Sequence, residues 1–464
     1  MSGTPTFSAA MTAAVHEQAA AHLLRADGQE DICFALWSPS SGATRTTALV
    51  RELILPGEGD RILHGNVSFT PLFFERALAT AAARGAGLAM LHSHPLGAGW
   101  QGMSVPDVAA ESGNAGAVMG ATDFPFVGLT LAGSDQSWSA RFWYRHAPRD
   151  WRPNWCENVR VVGEALRTTF CPDLVPAPRA SGRLVRTVSA WGEQKQADLA
   201  RLRVGVVGAG STGGFIGEGL ARTGIQHVRV FDFDKVDEHN LDRLCYALPS
   251  DVGKPKVRVF AERLRSIATA ERFLVEEVPH AVYEPEAYRL ALDCDVLFSC
   301  VDRPWGRHVL NHIAYGHLIP VIDGGILVRT NRSRQLVGAD WTAQTVGPGR
   351  ACLQCLGQYD TAYVQTEREG RLDDPQYIEG LPGDHPLRAR QNVFGFSMAC
   401  ASQQFLQMLN LVIAPLGLAD SGVQRYRFVD STMESKRRCT CKPGCALPSL
   451  IAAGDKSPYR VYRT

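Results

Sequence analysis

The chain has no run of five or more consecutive Lys or Arg residues, and its formal net charge is only +1 over 464 residues. It therefore carries no electrostatic footprint for a nucleic acid or an anionic membrane surface. It also has no uninterrupted stretch of about 18 apolar residues that would span a bilayer. Cysteine is sparse, 12 in all, which excludes a scaffold built on disulfides. The N-terminal stretch is Ala-rich, but His16, Glu17 and Gln18 interrupt it and no basic segment precedes an apolar one. No export signal is expected there, and the expected compartment is the cytoplasm. Internal repeats and low-complexity tracts are missing too. What remains is ordinary globular composition, 45% hydrophobic and 20% charged, at a length that calls for two or three folded units.

The expected organisation is an α/β domain over 1–150, a linker over 151–180 and a second α/β domain over 181–464. In the first, strand-like runs (32–37, 48–54, 88–92, 126–131 and 137–144) alternate with a helical stretch at 71–84. Pro, Gly and Ser mark the linker, which brackets a short helical piece. In the second, an apolar strand at 203–207 runs into glycines, and strands and helices then alternate as a doubly wound sheet requires. Residues 359–390 are polar, without a convincing period, and are expected to form a long loop.

His92 and His94 lie two apart, so on a strand both side chains emerge on one face and can share an ion. Asp107 supplies a third, hard ligand and leaves a position open for water, as in catalytic zinc sites. Glu30, just ahead of the apolar run 32–36, is the candidate general base, with Glu52 as the alternative, and Ser104 is the candidate donor to an oxyanion. A competing explanation exists: Ser104-x-x-Asp107 is also a capping box that would simply start a helix. His92-Ser93-His94-Pro95, Ser104-x-x-Asp107 and an upstream Glu before an apolar strand resemble the JAMM (MPN+) metallopeptidase signature. Nine residues separate His94 from Ser104, a longer insert than that signature usually has. The resemblance implies cleavage of peptide or isopeptide bonds after the C-terminal glycine of a ubiquitin-like protein; a catalytically dead binding module is the alternative.

Gly208-Ala-Gly210-Ser-Thr-Gly213 follows a strand and precedes a helix, a turn that lets backbone N–H groups approach a phosphate. Asp232, after the next strand, is placed for ribose hydroxyls, and this much suits an NAD(P)-dependent oxidoreductase equally well. Asn240, Arg243 and Lys256 add one amide and two cations suited to a leaving pyrophosphate. Asp302 ends an apolar strand and can hold Mg²⁺.

Residues 183–327, with Asp232-Phe-Asp234-x-Val236, Asn240-Leu241-x-Arg243, Val252-Gly-Lys-Pro-Lys256, Asp302 and Arg307, resemble the ThiF-type adenylyltransferases, the superfamily of ubiquitin-activating enzymes. The resemblance implies ATP-dependent adenylation of the C-terminal carboxylate of a ubiquitin-like β-grasp protein, with a conjugating enzyme as a possible further partner. It also implies a homodimer, in which Arg186, with Arg183 as the alternative, reaches a partner protomer's nucleotide. A sulfur-carrier protein activated for thiocarboxylate formation is the alternative substrate.

Cys352-x-x-Cys355 and Cys439-x-Cys441-x-x-x-Cys445 have the spacing of two halves of a structural zinc site. Cys352, Cys355, Cys441 and Cys445 are the expected ligands, with Cys439 as substitute. Cys400 falls in an apolar helical stretch, and its expected role is that of a buried small hydrophobe rather than a thioester-forming nucleophile.

Overall fold

A computed structural model of the chain describes residues 5–64, 66–179, 181–373, 379 and 391–459. It divides into two compact units. The first comprises residues up to Ala177 with Gly316–Leu318 and Ile451–Pro458, and the second holds the rest.

The first unit runs β1 (Thr6–Thr12), α1 (Ala13–Leu23), β2 (Ile32–Ser41), β3 (Arg45–Ile54), β4 (Arg61–His64), β5 (Asn66–Phe69), α2 (Pro71–Ala83), β6 (Gly87–His94), α3 (Val105–Thr122), β7 (Phe126–Ala132), β8 (Trp138–Ala147), β9 (Asp150–Trp155), β10 (Asn158–Val162) and β11 (Leu166–Phe170). Nine of these strands form one sheet in the order β11-β10-β1-β3-β2-β6-β7-β8-β9. Its central strands are buried on both faces, which is why β2 reads as a continuous apolar run rather than an alternating one. Cys33, Ala35 and Trp37 pack with Ala19 and Leu23 of α1 on one face. Ile32, Phe34 and Leu36 pack with Phe73 and Ala77 of α2 and Ala115 and Val118 of α3 on the other. Both covering helices start on sequence signals. Thr70 accepts from the Phe73 N–H ahead of Pro71, and Ser104 caps α3 with Pro106 in its first turn.

Three expectations are corrected here. Residues 150–170 are not a linker with a helical piece; they form β9, β10 and β11 of the sheet. Pro153 is tolerated because β9 is an edge strand, where a missing N–H costs nothing, and half-buried Trp151, Pro153 and Trp155 alternate with more exposed neighbours. The stretch before Gly28, where no strand was expected, supplies β1, which pairs in parallel with β3 and β10. Its Ala-rich sequence gives little periodic signal, and its burial comes entirely from its neighbours. Thirdly, the expected loop 359–390 contains a helix, α10 (Thr361–Arg368), capped by Asp360; residues 374–378 and 380–390 of it lie outside the described residues.

The second unit begins with α4 (Val185–Trp191) and α5 (Glu193–Arg201), then β12 (Arg203–Val207), α6 (Ser211–Arg222), β13 (His227–Phe231), α7 (Lys256–Ile267), β14 (Leu274–Val278), α8 (Pro285–Ala291), β15 (Val296–Ser299) and α9 (Pro304–Gly316). It continues through β16 (Val321–Thr330), β17 (Leu336–Val346), α10, α11 (Phe394–Ile413), β18 (Val423–Arg427) and β19 (Thr432–Lys436). The sheet order is β14-β13-β12-β15-β16-β17-β18-β19. The first five strands are parallel and the last three add antiparallel. The α/β expectation holds, with a longer antiparallel extension than a doubly wound sheet needs. Among the described residues no helix is long and apolar enough to cross a membrane.

Candidate functional site

In the first unit, β6 ends on His92 and His94. They share parity with Leu88 and Met90, the residues that meet α2 and α3, so both imidazoles emerge on the helix-covered face. Asp107, in the first turn of α3, meets both: Oδ1 lies 3.5 Å from His92 Nε2 and Oδ2 lies 3.5 Å from His94 Nε2. Donor atoms of the three residues lie within 4.8 Å of one another. The capping box is present as well. Ser104 Oγ accepts from the Asp107 N–H, and Asp107 Oδ2 accepts from the Ser104 N–H at 2.7 Å. The two explanations of Ser104-x-x-Asp107 are therefore one arrangement: the box aims the carboxylate at the histidines.

Burial would push Asp107 up, but hydrogen bonds to the two imidazoles outweigh it and hold the carboxyl far below the usual range. A hard carboxylate oxygen beside two ring nitrogens, with donor atoms this close, is a donor set that fits zinc.

Glu30 sits just before β2, and continuing the pairing of Ile32 with His92 by two residues sets it across from His94. The intervening residues fix that register. Ser93 Oγ accepts from the Asp31 N–H and donates to Leu23 O, while the buried Asp31 carboxylate takes Arg61 at 2.8 Å. Burial pushes the Glu30 carboxyl up, with His92 and His94 opposing. Glu52, the alternative base, instead pairs with Arg84 on an exposed part of β3.

Residues beyond the sequence motif support this site. Thr130 Oγ1 lies 3.4 Å from His92 Nε2 and accepts from Arg141 Nη1 at 2.6 Å. Arg141 and Glu111 are fully buried and paired, and Trp143 Nε1 also donates to Glu111. Glu111 stands one turn beyond Asp107, so α3 turns both carboxylates to the sheet. An isolated Glu in an amphipathic helix gave no signal of this; only the spacing of four from Asp107 pointed to a shared face.

The four expected cysteines come together in the second unit, their sulfurs within 4.8 Å. Backbone N–H groups of Cys355, Cys352 and Lys442 point at the sulfurs of Cys352, Cys441 and Cys355, at 3.3–3.4 Å. Donors aimed at sulfur favour thiolates, so this set fits a structural zinc ion. Cys439, the substitute, is outside the group. Cys400 is fully buried, and burial pushes its thiol up to about 12.

The strand order of the parallel half reverses between β12 and β15, the crevice where doubly wound sheets take ligands. The glycines divide the work there. Gly208 has φ +100°, and a Cβ on it would lie 2.6 Å from Cys300 O beyond β15; one on Gly213 would lie 1.9 Å from Gly208 O; one on Gly210 would point into open space. The first and third thus close the turn and the second leaves room for a ligand. Asp232 follows β13 and grips this loop, accepting from the Ala209 N–H at 2.7 Å and the Asp234 N–H at 2.8 Å. Burial pushes its carboxyl up, partly offset by Lys256. Lys256, buried in the first turn of α7, donates to Asp234 at 2.8 Å.

The other expected residues are placed less directly. Buried Asn240 accepts from the Asp237 N–H in a short 3₁₀ turn. Arg243 donates to Asp242 and to His239 O. Asp302 is exposed just beyond β15. Arg307 is bound to Asp323 and Gly324 O, and Arg183 and Arg186 are exposed ahead of β12.

The ThiF family description matches residues 182–445, more than half of the 464. The chain belongs to the ThiF family. Curated relatives include the tRNA threonylcarbamoyladenosine dehydratase 2 of Saccharomyces cerevisiae, 31% identical over 159 residues, covering 33% of this chain and 35% of the relative. The molybdopterin-synthase adenylyltransferase of Escherichia coli is 26% identical over 163 residues, covering 35% and 61%. The NEDD8-activating enzyme E1 catalytic subunit of Arabidopsis thaliana is 30% identical over 138 residues, covering 27% and 30%. The chain thus spans between about a third and three fifths of these relatives' own lengths. A solved structure of E. coli MccB with ATP superposes with a TM-score of 0.44 at 16% identity, covering 58% of this chain and 74% of that one, a likeness too remote to carry an argument.

Family membership argues against the oxidoreductase alternative that the glycines alone left open. Within the ThiF domain, one residue escaped sequence reasoning. Tyr246 is buried against Phe260 and donates its hydroxyl to Ala209 O, inside the glycine loop. Its place only three residues after Arg243 was the available signal.

Proposed function

We propose that the ThiF domain adenylates the C-terminal carboxylate of a ubiquitin-like protein, and that the N-terminal unit is a JAMM-like zinc peptidase acting on the peptide or isopeptide bond formed by that same C-terminus. The carrying observation is the crevice between β12 and β15, with Asp232 tied to the glycine loop and Lys256 buried beside it. In the adenylation step a carboxylate oxygen attacks the α-phosphorus of ATP, the α–β bridge breaks and pyrophosphate leaves. Asp232 would hold the ribose, Asn240, Arg243 and Lys256 the phosphates, and Asp302 the accompanying Mg²⁺. The positive charge of Arg243 and Lys256 favours the leaving group. Arg186 would reach the nucleotide of a second protomer in a homodimer.

In the N-terminal unit, zinc on His92, His94 and Asp107 would supply a Lewis acid for the scissile carbonyl. Glu30, raised by burial and set opposite His94, would take the proton of the attacking water, and the Ser104 hydroxyl, whose oxygen already accepts from Asp107, keeps its hydrogen for the oxyanion.

A sulfur-carrier protein is the second candidate substrate, favoured by the relatives named as molybdopterin-synthase adenylyltransferase and as adenylyltransferase and sulfurtransferase uba4. Relatives named as tRNA dehydratases act on a nucleic acid, for which this nearly neutral chain offers no basic block. The test is ATP–pyrophosphate exchange with small β-grasp proteins ending in glycine, and cleavage of the same proteins extended beyond that glycine. Lys256→Ala is expected to stop exchange only, and Glu30→Gln cleavage only. NAD(P)H binding without exchange would sink the adenylation half, and cleavage unaffected by Glu30→Gln would sink the peptidase half.

A further inference from the structure

We infer that Gln101, carried by the long insert between His94 and Ser104, is a positioning residue that fixes the tautomer of His94 and leaves Nε2 free to bind the metal. This rests on the zinc reading of the N-terminal unit. The amide of Gln101 is oriented by its own contacts: its NH₂ group donates to Ala98 O at 2.8 Å and to Gly99 O at 3.3 Å. The end that meets His94 is therefore the carbonyl, with Oε1 3.3 Å from Nδ1. A carbonyl oxygen only accepts, so Nδ1 carries a proton and is closed to a metal. Nε2, the nitrogen that faces Asp107 Oδ2, is the one left to exchange its proton for a metal.

The insert is shaped around this contact. A Cβ on Gly97 would lie 2.3 Å from Gln101 Oε1, and one on Gly133 would lie 2.2 Å from Pro95 O. The loop is tied to the β7–β8 turn by Ser134 N to Gly97 O and Gly133 N to His94 O, each 2.9 Å, and by Gly99 N to the Asp135 carboxylate at 2.9 Å. The two histidines are thus not equivalent. His94 has an acceptor at Nδ1, whereas buried His92 Nδ1 has none among the described residues. The lengthened spacing, which sets the motif apart, supplies the residue that orients one of its ligands.

Two measurements on the full chain test this. In zinc-loaded protein with ¹⁵N-labelled histidine, the His94 ring, assigned by its loss in His94→Ala, is expected to keep Nδ1–H with the metal on Nε2, and Gln101→Leu is expected to lose that single pattern. In Co²⁺ titrations, the nitrogen- and oxygen-ligated site separates spectrally from the thiolate site. There Gln101→Leu is expected to weaken the N-terminal site about 10- to 100-fold. Gln101→Glu, which keeps an acceptor, is expected to retain most of the affinity, and Gly97→Ala to lose it as Gln101→Leu does. Unchanged hydrogen exchange of peptides from α3 and β7–β8 reports that the N-terminal unit of each variant is folded. An Nε2–H tautomer in the parent protein, or equal Co²⁺ affinity in Gln101→Leu, overturns the inference. If the parent binds no Co²⁺ at His92, His94 and Asp107, the peptidase reading fails and the inference with it, whereas parent binding that Gln101→Leu leaves unchanged overturns the inference alone.

Discussion

Replacing Glu111 by Gln tests whether a buried ion pair holds the floor of the N-terminal site. Glu111 and Arg141 have no exposed side-chain surface. The carboxylate takes two guanidinium N–H groups, one of them at 2.8 Å, and the Trp143 indole at 2.5 Å. An amide of the same size offers one acceptor oxygen to three donors and leaves the guanidinium without a counter-charge. Breaking one side of such a pair costs about 3–5 kcal/mol, a large share of the roughly 5–15 kcal/mol that holds a whole domain folded. The same argument gives a second route to the loss. A Cβ on Gly128 would lie 2.1 Å from Glu111 Oε2, so Gly128→Ala should displace the carboxylate with no change of charge.

A chain of two units need not unfold in one step, so a local readout is required. Hydrogen exchange of peptides from α3 and from β7–β8, followed against denaturant, reports the opening free energy of this region. Glu111→Leu with Arg141→Met should recover much of what each single variant loses, because two apolar groups replace two mutually dependent charges. A loss below about 1 kcal/mol for Glu111→Gln, against the range given for buried pairs, or a double variant no better than the worse single one, would refute the reasoning.

Three further outcomes are expected. Glu276 is pulled down to about 2, because hydrogen bonds and charge from His227 and Arg229 outweigh its burial. Its stabilisation is therefore full above the ordinary value of 4.5 and fades as pH falls through about 2. The melting-temperature difference between the parent and Glu276→Gln should accordingly be largest above that value and shrink towards pH 2. Cys441→Ser should remove one tightly bound zinc per chain, measured by elemental analysis, and lower the melting temperature, whereas Cys439→Ser should do neither. Gly213→Ala should abolish nucleotide binding measured by calorimetry, because its Cβ meets Gly208 O at 1.9 Å; full binding would show that the turn has slack.

The features legible in the sequence are local ones. Alternation along a strand puts His92 and His94 on one face whatever surrounds them, and a strand running into Gly208, Gly210 and Gly213 before a helix has few other uses. The spacing of Cys352 and Cys355 is likewise a property of a few adjacent residues. Signals failed where burial came from neighbours rather than from the segment itself. Ala-rich β1 acquires its place between β3 and β10, and β9 hides behind Pro153 because an edge strand can spare an N–H.

By itself, then, the sequence determined that the chain holds a glycine turn of the ThiF kind, a paired-histidine strand and two thiol clusters, since backbone geometry and ligand spacing act over a few residues. Only the tertiary structure decided that Cys441 and Cys445, rather than Cys439, meet the Cys352 pair from some ninety residues away. It likewise decided that Glu30 rather than Glu52 stands by the histidines, that Asp107 caps its helix and faces the imidazoles at once, and that Gln101, Thr130 and Arg141 support them. Each of these depends on which strands pair and which face a helix covers, and the burial of the whole core sets that collectively.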